Sequence, residues 1–349
     1  MGKKLCLVLG NGFSIDLIKY AKLELEIDII NLFSKGAEIP WPETGQAGYL
    51  SFKHCPNLWN LGARPNMAKN EAMTLLENII TCVNVHVLNN KARIPDGNSK
   101  PNDIYMNAYY ELTSYLRTLF SHYNSLVPVG ELSDKLIGWV WLDFLKYVND
   151  SDEYDSISII TYNYDTWLER LLIENNIAFK LSLIEGGGHG DAPKITLIKP
   201  HGSISFYHKT QSPAEYEVGY GKEIPGQATT DDFETKYDIP LSKCLVNALV
   251  PPAGDTVRIN QSWSGQIRTS AAGYAKKLTA DDELMICGIS YWHVDRSEID
   301  ELMTNCSPEV NTYLFNPYPN LAMDAVLTSL FKNYVFHNNS SVLKQRFTK

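Results

Sequence analysis

The chain has 349 residues, of which 44% are hydrophobic, 20% charged and 11% aromatic. This composition supports a large buried core, in one big domain or two smaller ones, and excludes a disordered chain. The formal net charge of −9 sets an acidic surface against phosphate backbones, so no direct nucleic-acid contact is expected of it.

Residues 4–10 form a short, continuous apolar run that ends at Gly10 and Gly12 and is followed by the helix-like stretch 15–20. A strand, a glycine turn and a helix in that order open a parallel α/β sheet. Residues 35–70 are rich in Pro, Gly, Asn and Trp and read as an irregular excursion. Apolar residues then recur at helical spacing: Ala72, Leu75, Leu76, Ile79, Ile80 and Val83; Tyr109, Leu112, Tyr115, Leu116 and Leu119; and Leu136, Ile137, Trp139, Val140, Phe144 and Leu145. Residues 35–150 are therefore predicted to be a mostly helical insertion, with 1–34 and 151–349 forming a Rossmann-like, doubly wound parallel sheet domain.

Strands are predicted at 156–160, 195–199, 244–250, 283–288 and 312–316, and helices at 166–173, 262–278, 296–305 and 320–334. The segment 185–191 reads as a flexible glycine loop, and the polar stretch 338–349 as a fraying tail. The residues at the start lead straight into a strand-like run rather than a signal peptide, and no apolar run is long enough to span a bilayer. The expected location is the cytoplasm. The six cysteines include no CxxC pair, which gives no support to a structural zinc site, and Cys6 and Cys287 read as buried free thiols.

Three segments carry the chemistry. Gly10, Asn11, Gly12, Phe13 and Ser14 form a βα turn whose glycines would let the backbone approach a pyrophosphate at a helix N-terminus, although the third glycine of the dinucleotide fingerprint is missing. Asn163 and Asp165, in Thr161-Tyr162-Asn163-Tyr164-Asp165, lie at the carboxyl end of a predicted strand, where ligands of open α/β sheets bind. Asn163 can hold a ribose hydroxyl and a water, while Asp165 either fixes that geometry or caps the next helix. His201, in Lys199-Pro200-His201-Gly202-Ser203, has the side chain of a general base, with His189 and His293 as weaker candidates. Gly288 and Ser290 end one strand and Asn316 the next; all three would line the adenosine half of a dinucleotide.

Taken in order, these segments resemble sirtuin motifs. Thr161–Asp165 is similar to T-Q-N-x-D with Tyr162 in place of Gln, Gly10–Ser14 to G-A-G-x-S, His201-Gly202 to H-G, Gly288-Ile289-Ser290 to the late G-T/Y-S segment, and Asn316-Pro317 to the final I-N element. The combination resembles the SIR2-like (sirtuin-fold) NADase effectors of bacterial antiviral defence more than the protein deacylases, whose zinc cysteines and Gln are missing here. The resemblance implies an NAD+ glycohydrolase that releases nicotinamide and ADP-ribose as the NAD-depleting arm of an abortive-infection system. On this reading the catalytic residues are Asn163, Asp165 and His201, NAD+ is the substrate, and there is no further cofactor and no zinc.

Free NAD hydrolysis would be toxic, and no appended sensor domain is recognisable. The expected partners are therefore further copies of the chain in a homo-oligomer and a separately encoded sensor or activator protein, with no membrane. The alternatives are a non-catalytic NAD or ADP-ribose sensor and, less favoured, a protein deacylase.

Overall fold

The computed structural model describes residues 2–91, 104–210, 228–239, 244, 247–251, 263–291, 296–318 and 320–348. In chain order, the elements begin with β1 (Lys3–Leu9), α1 (Asn11–Tyr20), α2 (Pro56–Asn60), α3 (Lys69–Lys91) and α4 (Ile104–Ser125). Next come α5 (Glu131–Lys135), α6 (Val140–Asp150), β2 (Tyr154–Thr161), α7 (Trp167–Glu174), β3 (Phe179–Leu181) and β4 (Ile195–Ile198). They are followed by β5 (Phe206–His208), β6 (Phe233–Thr235), α8 (Trp263–Ala275), β7 (Glu283–Cys287) and α9 (Arg296–Thr304). The series closes with β8 (Asn311–Phe315), α10 (Leu321–Leu330), β9 (Asn333–His337) and α11 (Lys344–Phe347).

Two compact units emerge. The first gathers three pieces of chain, Met1–Glu24, Val127–Pro200 and Ile267–Lys349; the second comprises Leu25–Leu126 and His201–Gln266. The first unit holds a seven-stranded sheet in the order β3-β4-β2-β1-β7-β8-β9, and every neighbouring pair is parallel. Leaving out the short edge strand β3, the order is that of a Rossmann sheet: the chain winds outward from β1 through β2 and β4, then returns to the other side of β1 at β7. β1 is central, with Leu7 facing Ile159 on one side and Met285 on the other. Leu5 to Leu9 are buried on both faces, which is why the strand reads as an unbroken apolar run.

The second unit packs α2, α3 and α4 with the antiparallel pair β5–β6. Within it, the buried Glu111 carboxylate accepts from the backbone N–H groups of Asn57 and Leu58 and from the Asn57 amide, so it caps the short α2.

Several expectations change here. Residues 127–150, placed in the helical insertion from the sequence, group with the sheet. The reason is aromatic packing: the Phe13 ring lies 5.3 Å from Trp139 and 5.7 Å from Trp141, and Trp139 Nε1 donates to Asp16 at 3.0 Å. Conversely, residues 201–266 belong to the second unit rather than to the sheet domain. The apolar run 244–250 is not a strand among the described residues; it contributes an isolated bridge between Leu249 and Gly202. The helix predicted over 320–334 ends at Leu330, and the chain then adds β9 at the sheet edge. The tail is anchored rather than fraying: Leu343 is fully buried and Arg346 Nη1 donates to Glu283 at 2.6 Å.

The sheet centre depends on glycine at two crossing points. A Cβ on Gly12 would lie 2.5 Å from the Gly288 Cα, and one on Gly288, whose φ is +67°, would lie 2.5 Å from the Gly12 Cα. Gly12→Ala and Gly288→Ala are therefore each expected to cost about 1–3 kcal/mol by overpacking, with the left-handed backbone adding about 1–2 kcal/mol at Gly288. Gly273→Ala, where a Cβ meets nothing within 4 Å, is the control and should not destabilise. Denaturant unfolding of the three variants checks the ranking.

Candidate functional site

The turn after β1 and the end of β2 form one hydrogen-bonded cluster. Gly10 is the N-cap of α1 in extended conformation, so the helix starts directly at Asn11. Ser14, one turn in, is 1% exposed. Asn163 and Asp165 follow β2 and are also buried. Asn163 Nδ2 donates to the Gly10 carbonyl at 3.0 Å and to Ser14 Oγ at 2.9 Å. Ser14 Oγ in turn donates to Asp165 Oδ2 at 2.8 Å. The result is a directed relay from amide to hydroxyl to carboxylate. Asp165 Oδ1 also accepts from the Trp167 N–H at 3.3 Å, so the carboxylate caps α7 as well.

A buried ion pair lies beneath this relay. Lys199 Nζ donates to Glu169 Oε1 at 2.7 Å and to the Asp165 carbonyl at 2.6 Å, and neither the Lys199 nor the Glu169 side chain has any exposure. Sequence reading missed both roles. Lys199 shows only as a charge closing the apolar run Ile195–Ile198, and Glu169 as a charge inside the apolar face of α7. Burial pushes the Asp165 carboxyl up to about 6, opposed by the Lys199 charge and the Ser14 hydroxyl.

The remaining predicted residues are distributed as follows. Phe13 is buried against Trp139 and Trp141 and serves the core. Asn11 is exposed. The Gly10 N–H donates to the Cys287 carbonyl, the Gly12 N–H to the Gly288 carbonyl and the Phe13 N–H to the Gly10 carbonyl, at 2.9, 3.0 and 3.0 Å. A pyrophosphate at this turn would compete with chain-internal bonds for those three amides. Gly288 meets Gly12 at the point where the winding of the sheet reverses.

Ser290 is exposed, and its carbonyl accepts from Asn320. Asn316 is a local clamp: Nδ2 donates to the Ile289 carbonyl at 3.5 Å and Oδ1 accepts from the Tyr318 N–H at 3.1 Å.

His201 is buried and is the first residue of the second unit. Its carbonyl accepts from Val250, and the next residue must be glycine: a Cβ on Gly202, at φ +82°, would fall 1.8 Å from the Ala248 carbonyl oxygen. His189 is half-buried and exchanges backbone hydrogen bonds with Phe179, while His293 lies outside the described residues.

Among the described residues there is no group of three or more His, Cys, Asp or Glu side chains suited to a metal ion, and no helix is long and apolar enough to cross a membrane. The fold defines the chain as an α/β protein of Rossmann-like strand order. No protein-family model matches the chain, and no curated protein matches it.

Two predictions follow from the buried charges. Lys199→Met strands Glu169 and should cost about 3–5 kcal/mol, whereas Lys199→Met combined with Glu169→Leu should recover much of that loss; a double-mutant cycle by urea unfolding reads the coupling. The second concerns Asp165, whose folded pKa of about 6 exceeds its ordinary value of 3.8. The fold binds this proton more tightly than the unfolded chain does. The resulting stability is present in full below about pH 4 and is lost as pH rises through about 6. Relative to the wild type, Asp165→Asn should therefore gain up to about 3 kcal/mol between those limits and nothing further above them, as read from unfolding midpoints across pH.

Proposed function

We propose that the chain cleaves the nicotinamide–ribose bond of NAD+ and releases nicotinamide and ADP-ribose. The observation that carries this reading is the buried relay Asn163–Ser14–Asp165 at the carboxyl ends of β1 and β2, where open α/β sheets bind nucleotides. Both amide hydrogens of Asn163 are taken, by the Gly10 carbonyl and by Ser14. Oδ1 is thus the atom the residue offers a ligand, and an acceptor suits a ribose hydroxyl or an attacking water. The Asp165 carboxylate fixes the direction of the relay: it takes the Ser14 proton, so the serine oxygen faces Asn163 as an acceptor.

Scission passes through an oxocarbenium-like state. Nicotinamide departs neutral from a cation, so the reaction asks the protein mainly for positioning and for a base rather than for a strong acid. The sirtuin resemblance assigns the base role to His201, and Gly10 to Ser14, Gly288, Ser290 and Asn316 to the rest of the dinucleotide. The same resemblance supports a role as the NAD-depleting effector of a bacterial anti-phage system. Uncontrolled NAD loss would kill the host, so activity is held in check by self-assembly, by a separately encoded activator, or by both.

Incubating the purified chain with NAD+, with and without candidate partner proteins, and following nicotinamide by chromatography tests the reading. Asn163→Ala should lower release by about 100-fold or more while circular dichroism shows the fold retained, at a stability cost of about 1–3 kcal/mol for the hydrogen bonds lost at Gly10 and Ser14; His201→Ala should lower release by roughly 10²–10⁴-fold. Full turnover in either variant removes that residue from the mechanism. NAD+ binding by calorimetry with no release under any condition would replace hydrolysis by sensing.

A further inference from the structure

The second unit contains a buried positive charge with no carboxylate partner among the described residues. Arg117, on α4, is 3% exposed. Its Nη1 donates to the Phe206 carbonyl at 3.2 Å, and its guanidinium carbon stands 4.4 Å from the centre of the Tyr207 ring. Nη2 is buried with no hydrogen-bond partner, and among the described residues no Asp or Glu pairs with the side chain. Lys236 approaches the same phenol ring, with Nζ 5.4 Å from its centre. Lys236 is itself paired with Glu234 at 2.6 Å, so Arg117 is the cation at this ring that has no carboxylate partner among the described residues.

Two further buried polar atoms lack a full set of partners. The Tyr207 hydroxyl interacts with the Arg117 side chain and has no other hydrogen-bond partner among the described residues. Asn247, 2% exposed, gives Nδ2 to Ser114 Oγ at 3.2 Å and to the Cys244 carbonyl at 3.3 Å, which leaves Oδ1 without a donor. Ser114 precedes Arg117 by three residues and shares its face of α4.

A guanidinium cannot shed its proton to escape burial, so an isolated one is a large cost unless an anion neutralises it. Its planar fork suits an oxyanion that presents two oxygens. The surrounding inventory narrows the class. Arg117 Nη2 and the Tyr207 hydroxyl are donors, whereas Asn247 Oδ1 is an acceptor. A carboxylate or a phosphate diester carries no proton for that acceptor; a hydrogen phosphate does.

We infer that Arg117, Tyr207 and Asn247 form a binding site for inorganic phosphate or a phosphate monoester. Arg117 and Tyr207 hold its oxygens, and Asn247 accepts from its P–OH. The site lies wholly within the second unit and stands independently of the proposed hydrolase reading.

The test is the melting midpoint of the full chain titrated with inorganic phosphate at constant ionic strength, with chloride as the matched control. A saturable rise beyond chloride in the wild type, no rise in Arg117→Met and a smaller one in Tyr207→Phe is the expected result. Arg117→Met should itself be no less stable than wild type in phosphate-free buffer, because it removes a stranded charge. If that variant fails to fold, Arg117→Lys keeps the charge but loses the fork and should bind phosphate several-fold more weakly. A wild-type response equal to that of chloride, or an equal phosphate response in wild type and the Arg117 variant, overturns the site. A parallel titration with ribose 5-phosphate separates the sources: a response at lower concentration than inorganic phosphate assigns the site to an ester, and the reverse assigns it to the free ion.

Discussion

The sheet of the first unit hinges on one backbone contact, where the turn after β1 crosses the end of β7 with glycine against glycine. Gly12 donates its N–H to the Gly288 carbonyl, and neither residue has space for a Cβ. This approach lets β7 join β1 in register from Leu5 opposite Glu283 to Leu9 opposite Cys287, and it sets the direction in which α1 leaves the sheet. That direction brings Ser14 to Asp165 and Asn163 to the Gly10 carbonyl. The polar relay is thus a consequence of how closely two strands' ends can pass, and its geometry is held by packing as much as by its own hydrogen bonds.

Two kinds of buried charge are present, and they differ in how they are neutralised. Lys199 and Glu169 neutralise each other inside the fold, where Lys199 also holds the Asp165 carbonyl in place. Among the described residues, Arg117 has a carbonyl and the Tyr207 side chain for partners and no carboxylate. The first arrangement is self-sufficient and rigid. The second keeps its stability linked to the composition of the surrounding solution.

The fold was legible where strands are buried on both faces. β1, β4 and β7 show as near-continuous apolar runs because parallel strands at the middle of a sheet meet helices on either side, while β2 and β8 show through the shorter apolar stretches at their carboxyl ends. β3 and β9 escaped notice because edge strands are short and half exposed, and the apolar residues of β9 continue the spacing of α10 closely enough to pass for more helix. The run 244–250 misled in the other direction: Cys244, Ala248, Leu249 and Val250 are buried, but Leu249 meets Gly202 in an isolated bridge rather than in a ladder. Asn163, Asp165 and Ser14 could be picked out because they follow predicted strands at the carboxyl edge of the sheet, where open α/β sheets bind their ligands. Glu169 and Lys199 could not, since their meaning depends on a partner thirty residues away. The division into units was hidden for a related reason: Trp139 reads as an ordinary helix-face residue until Phe13 is known to lie against it.

The first unit is assembled from three separated pieces of chain, and this bears on how it is made. β1, apolar from Leu5 to Leu9, leaves the ribosome well before its partner β7, which follows only after the whole of the second unit has been synthesised. Pairings at such sequence separation close slowly, since the entropy of the intervening loop is lost before the contact repays it. During that interval Leu5 to Leu9 have β2 alone for company, and one flank of an aggregation-prone strand stays open. The second unit, inserted between β1 and β7 in the chain, therefore enters the assembly of a sheet to which it contributes no strand.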